Sequence, residues 1–202
     1  MIDVYKILPN TCVEGPKQRF CIWVQGCAKH CPDCWAKETW EFGVGEKYSV
    51  NELFELIMSE RENIEGITIL GGEPFEQAKD LSKLCKKCKA QDLGVLCFSG
   101  YTLEELKSKK DKNVDELLKN VDLLIDGAFE KEKYDLSRPW VGSSNQKYHF
   151  FTDRYSQEEI NSYSNKIELR VKKDGKLEIN GMGDFEHIKK EFSLQLGKNI
   201  VK

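Results

Sequence analysis

The stretch Phe20-Cys21-Ile22-Trp23-Val24-Gln25-Gly26-Cys27-Ala28-Lys29-His30-Cys31-Pro32-Asp33-Cys34 runs from an apolar segment into a loop whose cysteines are spaced Cys-x3-Cys-x2-Cys. The apolar part reads as a buried strand over Arg19 to Gln25 that delivers the loop at its carboxyl end. Three thiolates on one short loop can hold three irons of a 4Fe-4S cube, leaving the fourth iron open to a ligand that is not protein. A closed zinc site is the alternative for the same thiols. It needs a fourth protein ligand, which His30 or Cys21 could supply.

A second candidate strand, Gly66-Ile67-Thr68-Ile69-Leu70, runs into Gly71-Gly72-Glu73-Pro74. Alone, that segment could be an ordinary turn. Its residues also suit a ligand: glycine lets backbone approach closely, and Glu73 offers a carboxylate to an ammonium group. In a parallel α/β architecture, groups at the carboxyl ends of successive strands meet on one face, so the cysteine loop and the glycine turn would converge.

Outward from these two segments the chain alternates strand and helix. Ser49 and Glu52 form a capping box before a helix through Ile57, and a helix follows the glycine turn from about Phe75 to Ala90. The strand Gly94 to Phe98 leads to Ser99-Gly100-Tyr101-Thr102, and Leu103 to Leu106 starts another helix. The apolar run Val121 to Ile125 ends at Asp126-Gly127, and Lys147 to Phe151 reads as the next strand. A helix is expected over Ser156 to Tyr163, then a hairpin of Lys166 to Val171 and Lys176 to Asn180 around Asp174-Gly175. Alternation of this kind predicts a mostly parallel sheet. Lys131 to Gln146 is the least regular stretch and reads as an ordered loop, which either bounds a substrate cleft or folds back on the sheet edge.

Length and composition narrow the class. At 202 residues the chain suits a single domain over 1–202 that is short for a complete eight-unit barrel. Lys plus Arg (31) against Asp plus Glu (34) gives a net charge of -3 without a basic stripe, so nucleic acid is not expected as a partner. No apolar run approaches the roughly 20 residues that span a bilayer, and the N-terminus lacks signal-peptide order, so a cytoplasmic protein with no membrane contact is expected. Eight cysteines in that compartment point to metal-bound or reactive thiols rather than disulfides. Cys85 and Cys88 share one helix face and read as small apolar residues, as do Cys12, Cys21 and Cys97. His149 reads as a packed residue, and the lysines from Lys107 to Lys112 as a solvated helix face.

The cysteine spacing together with Gly71 to Pro74 resembles the radical S-adenosylmethionine (SAM) superfamily. That resemblance implies a partial, incomplete TIM-like βα barrel, and SAM chelating the open iron of a cluster held by Cys27, Cys31 and Cys34. It further implies cofactor contacts at Asp33, Cys34, Trp35, Gly71, Gly72, Glu73, Pro74, Ser99 and Asp126. From the residues alone, Ser99 could instead begin a helix, and Asp126 could cap the next turn. The wider surroundings are similar to the glycyl-radical-enzyme activases, above all those of the anaerobic ribonucleotide reductase: Glu14-Gly15-Pro16, Arg19, Gln25-Gly26, Glu38-Thr39-Trp40, the Ser99 to Leu106 segment and Arg138 to Gln146.

This second resemblance implies that an electron from flavodoxin or ferredoxin cleaves SAM to methionine and a 5′-deoxyadenosyl radical, which takes a hydrogen atom from a glycine of the reductase large subunit. No acid or base is then demanded of the chain, and none beyond cluster and SAM is expected to be catalytic. The chain departs from the pattern at Lys17, at Asp33, where many members carry an aromatic residue, and at Trp35-Ala36-Lys37. Another small radical SAM enzyme, modifying a different glycyl-radical enzyme, a peptide or a nucleoside, is the alternative, followed by a metal-binding module without turnover.

Overall fold

The run that leads into the cysteines is strand β2 (Arg19–Val24) in the computed structural model, which describes residues 1–184 together with 188 and 190. Phe20, Cys21, Ile22 and Val24 are all buried, as a strand covered on both faces requires. It pairs in parallel with β4 (Gly66–Gly71), β4 with β5 (Gly94–Ser99), and β5 with β6 (Leu123–Asp126). On the flanks the direction reverses: β1 (Ile2–Thr11) runs antiparallel to β2, β3 (Glu46–Tyr48) to β1, and β7 (Lys147–Phe150) to β6.

The sheet order is β3-β1-β2-β4-β5-β6-β7, an open sheet whose four central strands are parallel, as expected, and whose flanking strands make it mixed. The reason lies in the connections. A parallel pair needs a crossover, usually helical, whereas the links from β1 to β2 and from β6 to β7 contain no α-helix.

Helices α1 (Val50–Ser59) and α2 (Ala78–Lys89) supply the crossovers from β3 towards β4 and from β4 to β5. The expected capping box is present: Glu52 N–H donates to Ser49 Oγ at 3.1 Å and Ser49 N–H to the Glu52 carboxylate at 2.7 Å. The helix expected from Phe75 starts as a 3-10 turn, Pro74–Gln77, before α2 proper. α3 (Leu103–Ser108) is followed by a separate helix, α4 (Lys112–Lys119), whose lysines face solvent above buried Val114, Leu117 and Leu118. α5 (Gln157–Asn161) is short and capped by Ser156.

The main core packs Phe20, Ile22, Ile67, Ile69, Leu81 and Leu84 between the sheet and α2. Cys85, Cys88 and Cys97 belong to this core, and burial pushes all three thiols up, Cys88 to about 12. Cys12 differs from that group and is exposed.

Arg19 is completely buried at the start of β2. Its guanidinium donates to Thr68 Oγ1 at 2.7 Å, Tyr155 Oη at 2.8 Å, the Glu65 carboxylate at 3.1 Å, the Gly94 carbonyl at 3.0 Å and the Ile67 carbonyl. One planar fork thus ties β2, β4 and β5 together at their amino ends.

The expected hairpin is formed by β8 (Ile167–Val171) and β9 (Leu177–Gly181), paired antiparallel as a separate two-stranded sheet. It is fastened to β1 and the segment after it. Lys6 Nζ reaches Asn180 Oδ1 at 2.6 Å and Glu178 at 2.9 Å, Thr11 Oγ1 donates to Glu168 at 3.0 Å, and Gly181 N–H donates to Glu14 at 2.7 Å.

Candidate functional site

The carboxyl ends of β2, β4 and β5 open onto one cavity of about 270 Å³, and Cys27, Cys31, Cys34, Gly71, Gly72 and Glu73 all line it. The two motifs are in direct backbone contact. Gly72 N–H donates to the Val24 carbonyl at 2.8 Å and Glu73 N–H to the Gly26 carbonyl at 2.9 Å. Gly71 has φ +100°, which favours glycine, and a Cβ on Gly72 would lie 2.5 Å from the Gly26 oxygen. Only glycine lets the turn sit this close to the cysteine loop.

The cysteine loop is held from both sides. Gly26 N–H donates to Thr39 O at 2.7 Å, Cys27 N–H to Trp40 O at 3.0 Å, and Gln25 Nε2 to Glu41 O at 2.7 Å. Within the loop, Cys34 N–H donates to Cys31 O at 3.0 Å. Burial pushes the Cys27 and Cys31 thiols up, the Lys29 and His30 backbone opposes that rise at Cys27, and Ala36 N–H donates to Cys34 Sγ at 3.4 Å. Donors of that kind are what a thiolate bound to iron requires, and all three thiols are partly exposed towards the cavity. The residues therefore fit a cluster.

They fit a zinc ion poorly. His30 stacks on Trp40 with ring centroids 4.7 Å apart, and Cys21 is buried in β2 beside the Arg19 carbonyl.

Glu73 is 1% exposed yet reaches the cavity. One carboxylate oxygen accepts the Phe75 N–H and the Ser99 hydroxyl, each at 3.0 Å, and the other accepts the Gly100 N–H at 2.8 Å. Burial outweighs these bonds and pushes the carboxyl up to about 7. Ser99 lines the cavity and also accepts the Tyr101 N–H at 3.0 Å, so it both closes a turn and presents its hydroxyl to the site.

The other expected contacts divide. Trp35 lines the cavity, while Asp33, Pro74 and Asp126 are not among its lining residues. Pro74 opens the 3-10 turn, and exposed Asp33 faces Lys131 Nζ at 3.8 Å. Asp126 sits buried at the end of β6, where Oδ2 accepts the Leu103 N–H at 2.5 Å and lies 2.8 Å from His149 Nε2. From a neighbouring strand it holds the first N–H of α3, beside the Thr102 N-cap.

Several lining residues carry no motif. Lys29 lies over the Tyr101 ring at 4.5 Å and pairs with Glu105 at 3.3 Å, bridging the cysteine loop to α3. The irregular stretch 131–146 is an ordered wall that contributes Tyr134, Leu136, Trp140, Gly142 and Gln146. Arg138 gathers the carbonyls of Ser143, Ser144 and Gln146, Gln146 Nε2 donates to Gly127 O at 3.0 Å, and Trp140 Nε1 donates to Val13 O at 3.1 Å. Gly181 at the end of β9, with Met182 and Gly183 after it, completes the rim. Their place follows from the Gly181 to Glu14 bond, and only long-range contact of that kind could have revealed it.

A strand-borne three-cysteine loop that a glycine turn meets on one cavity defines an iron-sulfur protein, and the 4Fe-4S single cluster domain family matches residues 13–149. Three relatives narrow the class. The anaerobic ribonucleoside-triphosphate reductase-activating protein of Vibrio cholerae is 31% identical over 160 residues, covering 75% of this chain and 99% of the relative. Those of Escherichia coli K12 (30%, covering 73% and 98%) and phage T4 (31%, covering 73% and 94%) are similar. The chain belongs to the family of anaerobic ribonucleoside-triphosphate reductase-activating proteins.

Proposed function

We propose that this chain is the activase of an anaerobic ribonucleotide reductase, folded as one domain with the partial-barrel architecture of radical SAM enzymes and working in the cytoplasm. The observation that carries this reading is the 2.9 Å bond from Glu73 N–H to the Gly26 carbonyl, which joins the glycine turn to the base of the cysteine loop on one cavity. Among the described residues, no helix is long and apolar enough to cross a membrane.

Cys27, Cys31 and Cys34 would hold the cluster. Gly71 and Gly72 would offer backbone at close range to SAM, Glu73 its carboxylate to the amino group, and Ser99 its hydroxyl. When bound, the cluster and SAM supply one-electron chemistry that removes a hydrogen atom from a glycine α-carbon of the reductase.

The chain's own tasks are to position and to shield. Its backbone beside Cys27 and Cys34 tunes the thiolates, and the wall from Tyr134 to Gln146 limits access of water and stray hydrogen donors. Within the site, Glu73 is the residue positioned to meet an ammonium, and no acid-base dyad is needed. Reduced flavodoxin or ferredoxin would deliver the electron.

The test is anaerobic reconstitution followed by two measurements. Iron and sulfide should reach one 4Fe-4S cluster per chain with SAM cleaved under dithionite, and the cognate reductase should then show a glycyl-radical doublet in electron paramagnetic resonance. SAM cleavage without the doublet on an authentic partner would replace this reading with that of another radical SAM enzyme.

A further inference from the structure

A second cavity of about 470 Å³ adjoins the first and shares Glu14, Trp23, Trp35, Ala36, Leu70 and Gly181 with it. Its outer wall is strand β9, through Glu178, Ile179 and Asn180, with Lys172 beside them and Lys6 of β1 across from them. The β8–β9 hairpin lies beyond the residues that the family profile matches. This wall lies outside the matched residues.

Asn180 is the unusual residue of that wall. It is 4% exposed, its Oδ1 accepts from Lys6 Nζ at 2.6 Å, and its Nδ2 has no hydrogen-bond partner among the described residues. An ammonium can only donate, so the amide oxygen must face Lys6 and the unpaired group is the NH2. A buried donor left without an acceptor is costly, and its retention on a cavity wall points to an acceptor that arrives with a ligand.

The ligand follows from the neighbouring site. A glycine within a protein brings its flanking residues with it, and these need a passage next to the cavity in which the reaction occurs. The second cavity shares walls with that site. Its Lys6–Glu178 and Lys172–Glu178 ion pairs lie beside Tyr5, Trp23, Trp35, Leu70 and Ile179, so the passage offers polar partners to a main chain and apolar surface to its side chains.

Building on the activase reading above, we propose that the β8–β9 hairpin seats the extended polypeptide segment that carries the target glycine, with Asn180 Nδ2 donating to one of its backbone carbonyls. Asn180 is a specificity-determining residue. It acts on how the partner docks and not on how the radical is made.

Asn180→Asp is the decisive variant, because it keeps an oxygen towards Lys6 while replacing the donor by an acceptor; Asn180→Ala removes both. With the reconstituted full chain and the cognate reductase, the reductase concentration giving half-maximal radical formation should rise about tenfold in each variant. The rate at saturating reductase and the iron content should be retained. A synthetic peptide spanning the reductase's radical-bearing glycine should lose affinity in parallel.

Half-saturation at the wild-type concentration in both variants would overturn the proposal. So would a loss of saturating rate with no change in half-saturation, since that marks a structural role. A wild-type protein that cleaves SAM but forms no radical on the reductase would instead remove the activase reading, and this proposal with it.

Discussion

The Glu73 carboxylate accepts the Gly100 N–H at 2.8 Å, so the loop after β4 is bonded directly to the loop after β5 at the floor of the cavity. Glu73→Ala would strand that N–H together with the Phe75 N–H and the Ser99 hydroxyl. The expected cost is about 1–3 kcal/mol of stability for each buried group left unpaired. Chemical denaturation of the cluster-free protein under anaerobic conditions measures it, and an unchanged midpoint would contradict this account.

Burial raises Glu73 and Glu14 from the ordinary 4.5 to about 7. The native state therefore holds protons that the unfolded chain releases, so this contribution to stability is fully present below 4.5 and fades as pH rises towards 7. An ammonium beside Glu73 favours the ionised form, so SAM should bind more tightly as pH rises through about 7 and should expel a proton. Calorimetry in two buffers of different ionisation enthalpy detects that proton. Glu73→Gln should abolish its release and weaken the pH dependence of the melting temperature, leaving the share that Glu14 contributes.

Replacing Cys27, Cys31 or Cys34 by alanine should each prevent cluster assembly, read as iron content and visible absorbance. Cys85→Ala should keep both, because Cys85 is fully buried in the core of α2 and away from the cavity.

Gly72→Ala tests how closely the two motifs must approach. Its Cβ would lie 2.5 Å from the Gly26 oxygen, so the glycine turn must move away from the cysteine loop. A displacement of that order should slow SAM cleavage by about 100-fold while cluster content is kept.

Asp126 separates scaffold from contact. As the acceptor for the Leu103 N–H, its replacement by alanine should cost about 1–3 kcal/mol, the range for a buried donor left unpaired, while the Thr102 cap of α3 stays in place. SAM affinity should change far less than in Glu73→Ala. A loss of SAM affinity equal to that of Glu73→Ala would make Asp126 a cofactor contact.

The strands that carry the site were legible because each pairs an apolar run with an abrupt polar or glycine terminus: Phe20 to Val24 before Cys27, Ile67 to Leu70 before Gly71, Val95 to Phe98 before Ser99. Of the flanks, only the existence of β7 was legible. Strand β1 contains Lys6 and Pro9 and has mixed burial, so it lacks a clean period of two. Helix α4 hides Val114, Leu117 and Leu118 among lysines, although its Asp111 cap and its i, i+3, i+4 spacing were readable signals. That β7 runs antiparallel depends on the helix-free link before it, and strand pattern alone does not encode direction. In the site, the cysteines and Glu73 announce themselves through chemistry. Trp140 and Gly181 reach the cavity only through tertiary bonds to Val13 and Glu14.

Arg19 lies at the opposite end of the sheet from the cysteines, about 20 Å away along a six-residue strand. Because its guanidinium fixes the lateral spacing of β2, β4 and β5 at their origin, it works like the rivet of a folding fan. A small change in spread at the rivet becomes a larger one at the rim, where Cys27, Glu73 and Ser99 stand. Arg19→Lys, which keeps the charge but not the planar fork, should therefore loosen the aperture of a site that it never touches.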